Sequence, residues 1–136
     1  MTNNFNFYEW FETIASKLEN REVSFRKIFK YLDSQPTPII IVETGCLRKN
    51  NNFLDGQSTL LFDKYTLSRG NNSKVYTVDI SSESTQVCRE AVSKNVEITT
   101  GDSISYLNKI SKKFLGYRTV FTWYMWRSID PVDVEY

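Results

Sequence analysis

The run "PIIIVET", residues 38–44, constrains this chain more than any other stretch. It is apolar and β-branched without alternation. That pattern suits a strand buried on both faces, as in a parallel sheet flanked by helices. Two shorter runs follow, "KVYTVDI" at 74–80 and "VEITTGDS" at 96–103. Between and after them lie three segments with helical spacing: "QSTLLFDKYTLS", "SSESTQVCREAVSK" and "ISYLNKISKKF". Ser58 or Thr59 is placed to cap the first of these and Ser81 or Ser82 the second. In the second, Val87, Cys88, Ala91 and Val92 would face inward. The order β-α-β-α-β-α predicts an α/β layered sheet with right-handed crossovers.

Ahead of this core, residues 7–19 place Phe7, Trp10, Phe11, Ile14 and Leu18 on one helical stripe. Residues 22–33 repeat the pattern with Phe25, Ile28, Phe29 and Leu32. Pro36 and Pro38 then end the helical texture. Residues 1–33 therefore read as two helices that pack on the sheet, their aromatics serving as core rather than as a ligand surface. A length of 136 residues fits one domain. Its divisions are a helical segment at 1–33, a core at 38–110 and an atypical tail at 111–136.

Composition excludes some chemistry. There is no His, so the commonest general base and metal ligand is missing. The 17 basic and 16 acidic residues form no tail or stripe, which predicts no nucleic-acid partner. Cys46 and Cys88 follow no metal spacing and read as reduced, buried thiols of a cytoplasmic protein. The N-terminus lacks the pattern of a signal peptide. No apolar run approaches the ~20 residues that cross a bilayer, so no membrane partner is expected. No acid cluster has the spacing of a metal site, although Asp130, Asp133 and Glu135 are suited to weak ion binding.

The three strand ends carry the candidate chemistry. Glu43, Asp79 and Asp102 close successive strands, with Thr44, Gly45, Ser81, Gly101 and Ser103 beside them. In open parallel sheets, ligands bind beyond the carboxyl ends of strands. An acid after the second strand is placed to accept both hydroxyls of a ribose. A glycine after the first lets the backbone approach a ligand. The competing reading is that each acid caps a helix. The spacing from Gly45 to Asp79 exceeds the ~20 residues usual in dinucleotide sites, and the pattern is not G-x-G-x-x-G. That argues against a phosphate loop and a dehydrogenase-like enzyme.

Together "VETGCLR…DGQST", "VYTVDIS" and "ITTGDSISYL" resemble the first three motifs of class I S-adenosylmethionine-dependent methyltransferases, across residues 38–110. The resemblance implies a Rossmann-like three-layer sandwich with a mostly parallel sheet, incomplete beside the family's seven strands. It implies S-adenosylmethionine as cofactor and a small-molecule or glycan-like methyl acceptor. Glu43 and Gly45 would belong to the loop under the methionine part. Gly56, Gln57 and Ser58 would close that loop. Asp79 would hold the ribose and Ile80 would pack on the adenine. Asp102, with Ser103 beside it, would face the adenine amino group.

The family's acidic stretch after the fourth strand has no counterpart here: no Asp or Glu occurs between Asp102 and Asp130. Tyr124, Asp130 and Asp133 are the only candidates near the expected catalytic edge. The alternative function is thus a non-catalytic domain that binds S-adenosylmethionine or its demethylated product. Trp123, Tyr124, Met125 and Trp126 on a half-sheet edge predict self-association, unless these side chains fold back on the N-terminal helices.

Overall fold

In the computed structural model, residues 5–49, 52–53 and 57–124 are described. Two helices lead, α1 (Phe7–Ile14) and α2 (Arg21–Asp33), joined through a 3₁₀ turn at Ala15–Leu18. Then come β1 (Ile40–Thr44), α3 (Ser58–Arg69), β2 (Lys74–Asp79), α4 (Ser82–Ala91), β3 (Val96–Thr100), α5 (Ser103–Lys113) and β4 (Val120–Tyr124). The strands form one parallel sheet in the order β3-β2-β1-β4. This is an α/β fold of four parallel strands flanked by helices, consistent with the Rossmann-like class.

The first helix does not run to residue 19 as its apolar stripe predicts. It tightens after Ile14, and Glu19 takes a φ of 54°. The chain turns there so that α1 and α2 both lay their aromatic faces on the same layer. Phe7, Phe11, Phe25 and Phe29 are buried in one cluster with Leu61, Phe62 and Tyr65 of α3. That cluster reaches Ile41 of β1, Val75 of β2 and Phe121 of β4. The aromatic stripe is core.

The period-2 geometry of a strand splits β1 between two layers. Ile39, preceding the strand, and Ile41 face the α1–α3 side. Ile40 and Val42 face the other, where Tyr106, Ile110 and Phe114 of the α5 region cover them with Tyr76 and Val78. Helix α4 packs on the α3 side through Cys88, against Cys46, Leu47 and Leu60. The central strand is thus buried on both faces, as its unalternating sequence requires.

Trp123 packs 5.6 Å from Phe25 and 6.1 Å from Phe62, ring centre to ring centre. This residue folds onto the helical layer, the arrangement set against self-association above. The side chain of Tyr124, and all of Met125, Trp126, Asp130, Asp133 and Glu135, lie outside the described residues. Among the described residues no helix is long and apolar enough to cross a membrane.

Arg69 joins the N-terminal helices to the sheet layer. Its guanidinium donates to the carbonyls of Leu32 and Gln35, 2.6 and 2.7 Å away, at the C-terminal end of α2. The Leu32 carbonyl also accepts the Gln35 N–H at 3.0 Å, and the cation from the neighbouring helix adds a second, charged donor at this helix end.

Candidate functional site

The carboxyl ends of β1, β2 and β3 enclose a cleft of about 290 Å³. Gly45, Asp79, Ile80, Asp102 and Ser103 line it, together with Thr44, Val78 and Gly101. Each position follows from the parallel sheet, which brings the strand ends to one edge. Gly45 has φ 83°, a conformation glycine adopts freely, and its N–H donates to the Val78 carbonyl at 2.7 Å. This extra bond extends the β1–β2 ladder by one rung.

Asp79 is held from two sides. Its Oδ2 accepts the Cys46 N–H at 3.1 Å and its Oδ1 accepts the Ser81 N–H at 2.9 Å. Two amides fix the plane of the carboxylate. A carboxylate has about four lone-pair sites, so each oxygen keeps one for a further donor. Ser81 itself caps α4, its Oγ accepting the Ser84 N–H at 3.2 Å, as its place in the sequence predicts.

Asp102 does cap a helix. Its Oδ2 accepts the Ser105 N–H at 2.9 Å, and this backbone donor holds its carboxyl below the usual carboxylate range. The capping reading of the three acids therefore applies to Asp102, while Asp102 also lines the cleft. Ile80 is 79% exposed and Ile104 is 70% exposed. Two bare isoleucines follow the second and third strand ends, and Ile80 forms part of the cleft wall.

Glu43, Gln57 and Ser58 do not line this cleft. Glu43 is fully buried and accepts hydrogen bonds from the hydroxyls of Ser58, Thr59 and Thr77, the last at 2.8 Å. Burial pushes its carboxyl up to about 7, against the pull of those three donors, and the nearby Asp79 charge adds to the rise. The expected capping of α3 by Ser58 or Thr59 does not occur. Gln57 occupies the cap position without a side-chain cap bond, because both hydroxyls turn inward to the carboxylate. A buried acid without donors costs more than an unfilled cap. Gln57 is also buried, and its amide donates to the Lys49 carbonyl at 2.5 Å. Gly56 lies outside the described residues.

Glu43 still reaches the loop after β1, by relay. The Thr59 hydroxyl that donates to Glu43 accepts the Leu47 N–H at 3.0 Å. Successive amides of that loop, Cys46 and Leu47, are thus anchored by Asp79 and by the Glu43 group. Sequence reasoning did not single out Thr59 or Thr77 as partners of Glu43. The signal was present in part: Thr77 interrupts an apolar strand two residues before Asp79, and it is the register partner of Glu43.

Cys46 and Cys88 are free, buried and close together. The Cys88 thiol and burial together raise the Cys46 thiol far above its ordinary range, so it is no nucleophile at neutral pH. Among the described residues no group of His, Cys, Asp and Glu is arranged to hold a metal ion.

No family model matches this chain, and no match is found among curated proteins or solved structures.

Proposed function

We propose that the cleft binds the nucleoside part of S-adenosylmethionine and that the chain is a methyltransferase acting on a small-molecule or glycan-like acceptor. One observation carries this reading. Gly45, Asp79, Ile80, Asp102 and Ser103 converge on a single cleft at the strand ends. At about 290 Å³ the cleft is at the small end for ligand pockets and suits a nucleoside better than a whole cofactor. The methionine part would then lie along the loop that begins at Gly45.

The roles follow from the chemistry. Asp79, its plane fixed by the Cys46 and Ser81 amides, accepts two vicinal ribose hydroxyls with its remaining lone pairs. Ile80 offers an apolar surface to a planar base. Ser103 and Asp102 face the base edge. Carboxylates at 79 and 102 in the cleft wall suit a ligand that carries an ammonium and a sulfonium. If the methyl acceptor is held in line with that sulfonium, positioning alone supplies much of the rate, and His is not needed.

A second reading has its own support. No Asp or Glu stands between Asp102 and Asp130, so β4 ends without the acid that faces the methyl group in the family this chain resembles. That favours a domain that binds the cofactor or its demethylated product without turnover.

Calorimetric titration with S-adenosylhomocysteine tests the shared part of both readings. Micromolar binding that is lost in Asp79→Ala supports them. A folded chain that does not bind removes the cofactor from consideration. Turnover of labelled S-adenosylmethionine then separates enzyme from binding module.

A further inference from the structure

A second feature adjoins the strand-end cleft, with which its larger groove shares Gly101 and Asp102. Strand β3 is an edge of the described sheet, and grooves open on both of its flanks. One, of about 460 Å³, is lined by Lys74, Arg89 and Lys94. The other, of about 900 Å³, is lined by Lys109, Lys112 and Lys113 of α5. Glu97 lines both grooves, and Asp102 stands at the upper end of the larger one. Among the described residues, none of these six cations is within ion-pair distance of a carboxylate. The pairs present there are those of Arg26 with Glu12 and Glu22.

This concentration is unexpected in a chain of formal charge +1. The six cations come from separate segments, at 74, 89, 94, 109, 112 and 113, so no basic stripe appears in the sequence. Folding gathers them around one strand. Lys109 and Lys113 sit one helical turn apart on α5. The Lys113 ammonium lies 4.9 Å from the centre of the Tyr76 ring, and the residue is exposed. Hydroxyl and amide groups of Thr99, Ser105 and Asn108 share the larger groove.

We infer that the β3 edge is a docking surface for the phosphate backbone of single-stranded nucleic acid. Cations without a carboxylate partner and with few acids among them fit a polyanion, and clustered Lys and Arg with neutral donors are what phosphate contacts use. The cations lie on both flanks of a narrow edge. A flat bilayer cannot reach both flanks together, whereas a flexible strand can follow them. This departs from the expectation, drawn from charge along the sequence, that nucleic acid is not a partner. It does not depend on what the strand-end cleft binds.

The test is fluorescence anisotropy of the full chain with a labelled oligouridylate of roughly 16 nucleotides, the upper site size of a single-strand-binding fold, between about 50 and about 200 mM salt. Binding should weaken steeply with salt. Lys109→Gln with Lys112→Gln should weaken it and lower the log–log salt slope by about 1.4, or 0.7 for each cation lost. Lys27→Gln with Lys30→Gln removes the same charge from α2 and should leave the slope unchanged. Asp79→Ala should also bind the oligonucleotide as the native chain does. No binding at the lowest salt overturns the inference. So does equal loss from the two lysine pairs, or equal affinity and slope for polyglutamate or for duplex of the same length.

Discussion

The Leu47 amide donates to the Thr59 hydroxyl across 3.0 Å, and that hydroxyl donates onward to Glu43. The loop after β1 is therefore tied to α3 and to the buried carboxylate through one side chain. Thr59→Val keeps the shape and removes the hydroxyl. It leaves a buried N–H without its acceptor and takes one donor from Glu43. A loss on the order of 1–3 kcal/mol is expected in urea unfolding. Thr59→Ser should recover most of it. A valine variant as stable as the native chain would show that the relay does not bear on stability.

Glu43 makes stability depend on pH with a definite sign. Its folded value of about 7 lies above its ordinary value of 4.5. Below the ordinary value the carboxyl is protonated in both states and its contribution is fully present. As pH rises from there to the folded value, the unfolded chain releases the proton and the folded chain retains it, so stability falls. The loss levels off above pH 7, on the order of 3 kcal/mol. Glu43→Gln should be flatter over that window, because its amide does not titrate. Parallel stability curves for the two chains would contradict this.

Phe62 joins the layers. Its ring stands within 6.2 Å of Phe25, Phe29, Phe121 and Trp123 and is fully buried. Phe62→Ala should cost about 3–5 kcal/mol. It should also alter Trp fluorescence, since Trp123 loses a neighbour. Phe62→Leu should cost less, and an equal cost for both would argue that the site collapses around the alanine.

Asp102 separates capping from binding. Asp102→Ala should lower stability measurably through loss of the α5 cap. Asp102→Ser restores a cap but not the carboxylate. If the serine variant is stable and binds S-adenosylhomocysteine like the native chain, Asp102 is a cap alone. If it is stable and binds at least several-fold more weakly, the carboxylate also meets the ligand.

Much of this fold was legible in local pattern. "PIIIVET" predicted a strand buried on both faces, and Ile40 and Ile41 do face opposite layers. Ser81 or Ser82 is placed to cap α4, and Ser81 is the cap. The strand ends read as one edge, where Gly45, Asp79 and Asp102 meet, but Glu43, the acid of the first strand end, is buried away from it. Periodicity and turn chemistry act over a few residues, so they survive in the sequence. The end of α1 at Ile14 was not legible, because its stripe continues to Leu18 while the packing of α2 demands a turn.

What the sequence determined alone was the order of elements, the apolar faces and the acids at the strand ends. The tertiary structure decided how polar groups are shared. Ser58 and Thr59 read as caps, but a buried carboxylate 15 and 16 residues away claims both hydroxyls. The six cations around β3 are scattered along the chain and become one surface only when α4, α5 and β2 meet that strand. Hydrogen bonds and charge act over ångströms in space, whatever the separation in sequence. Their partners are chosen by packing, which no local pattern records.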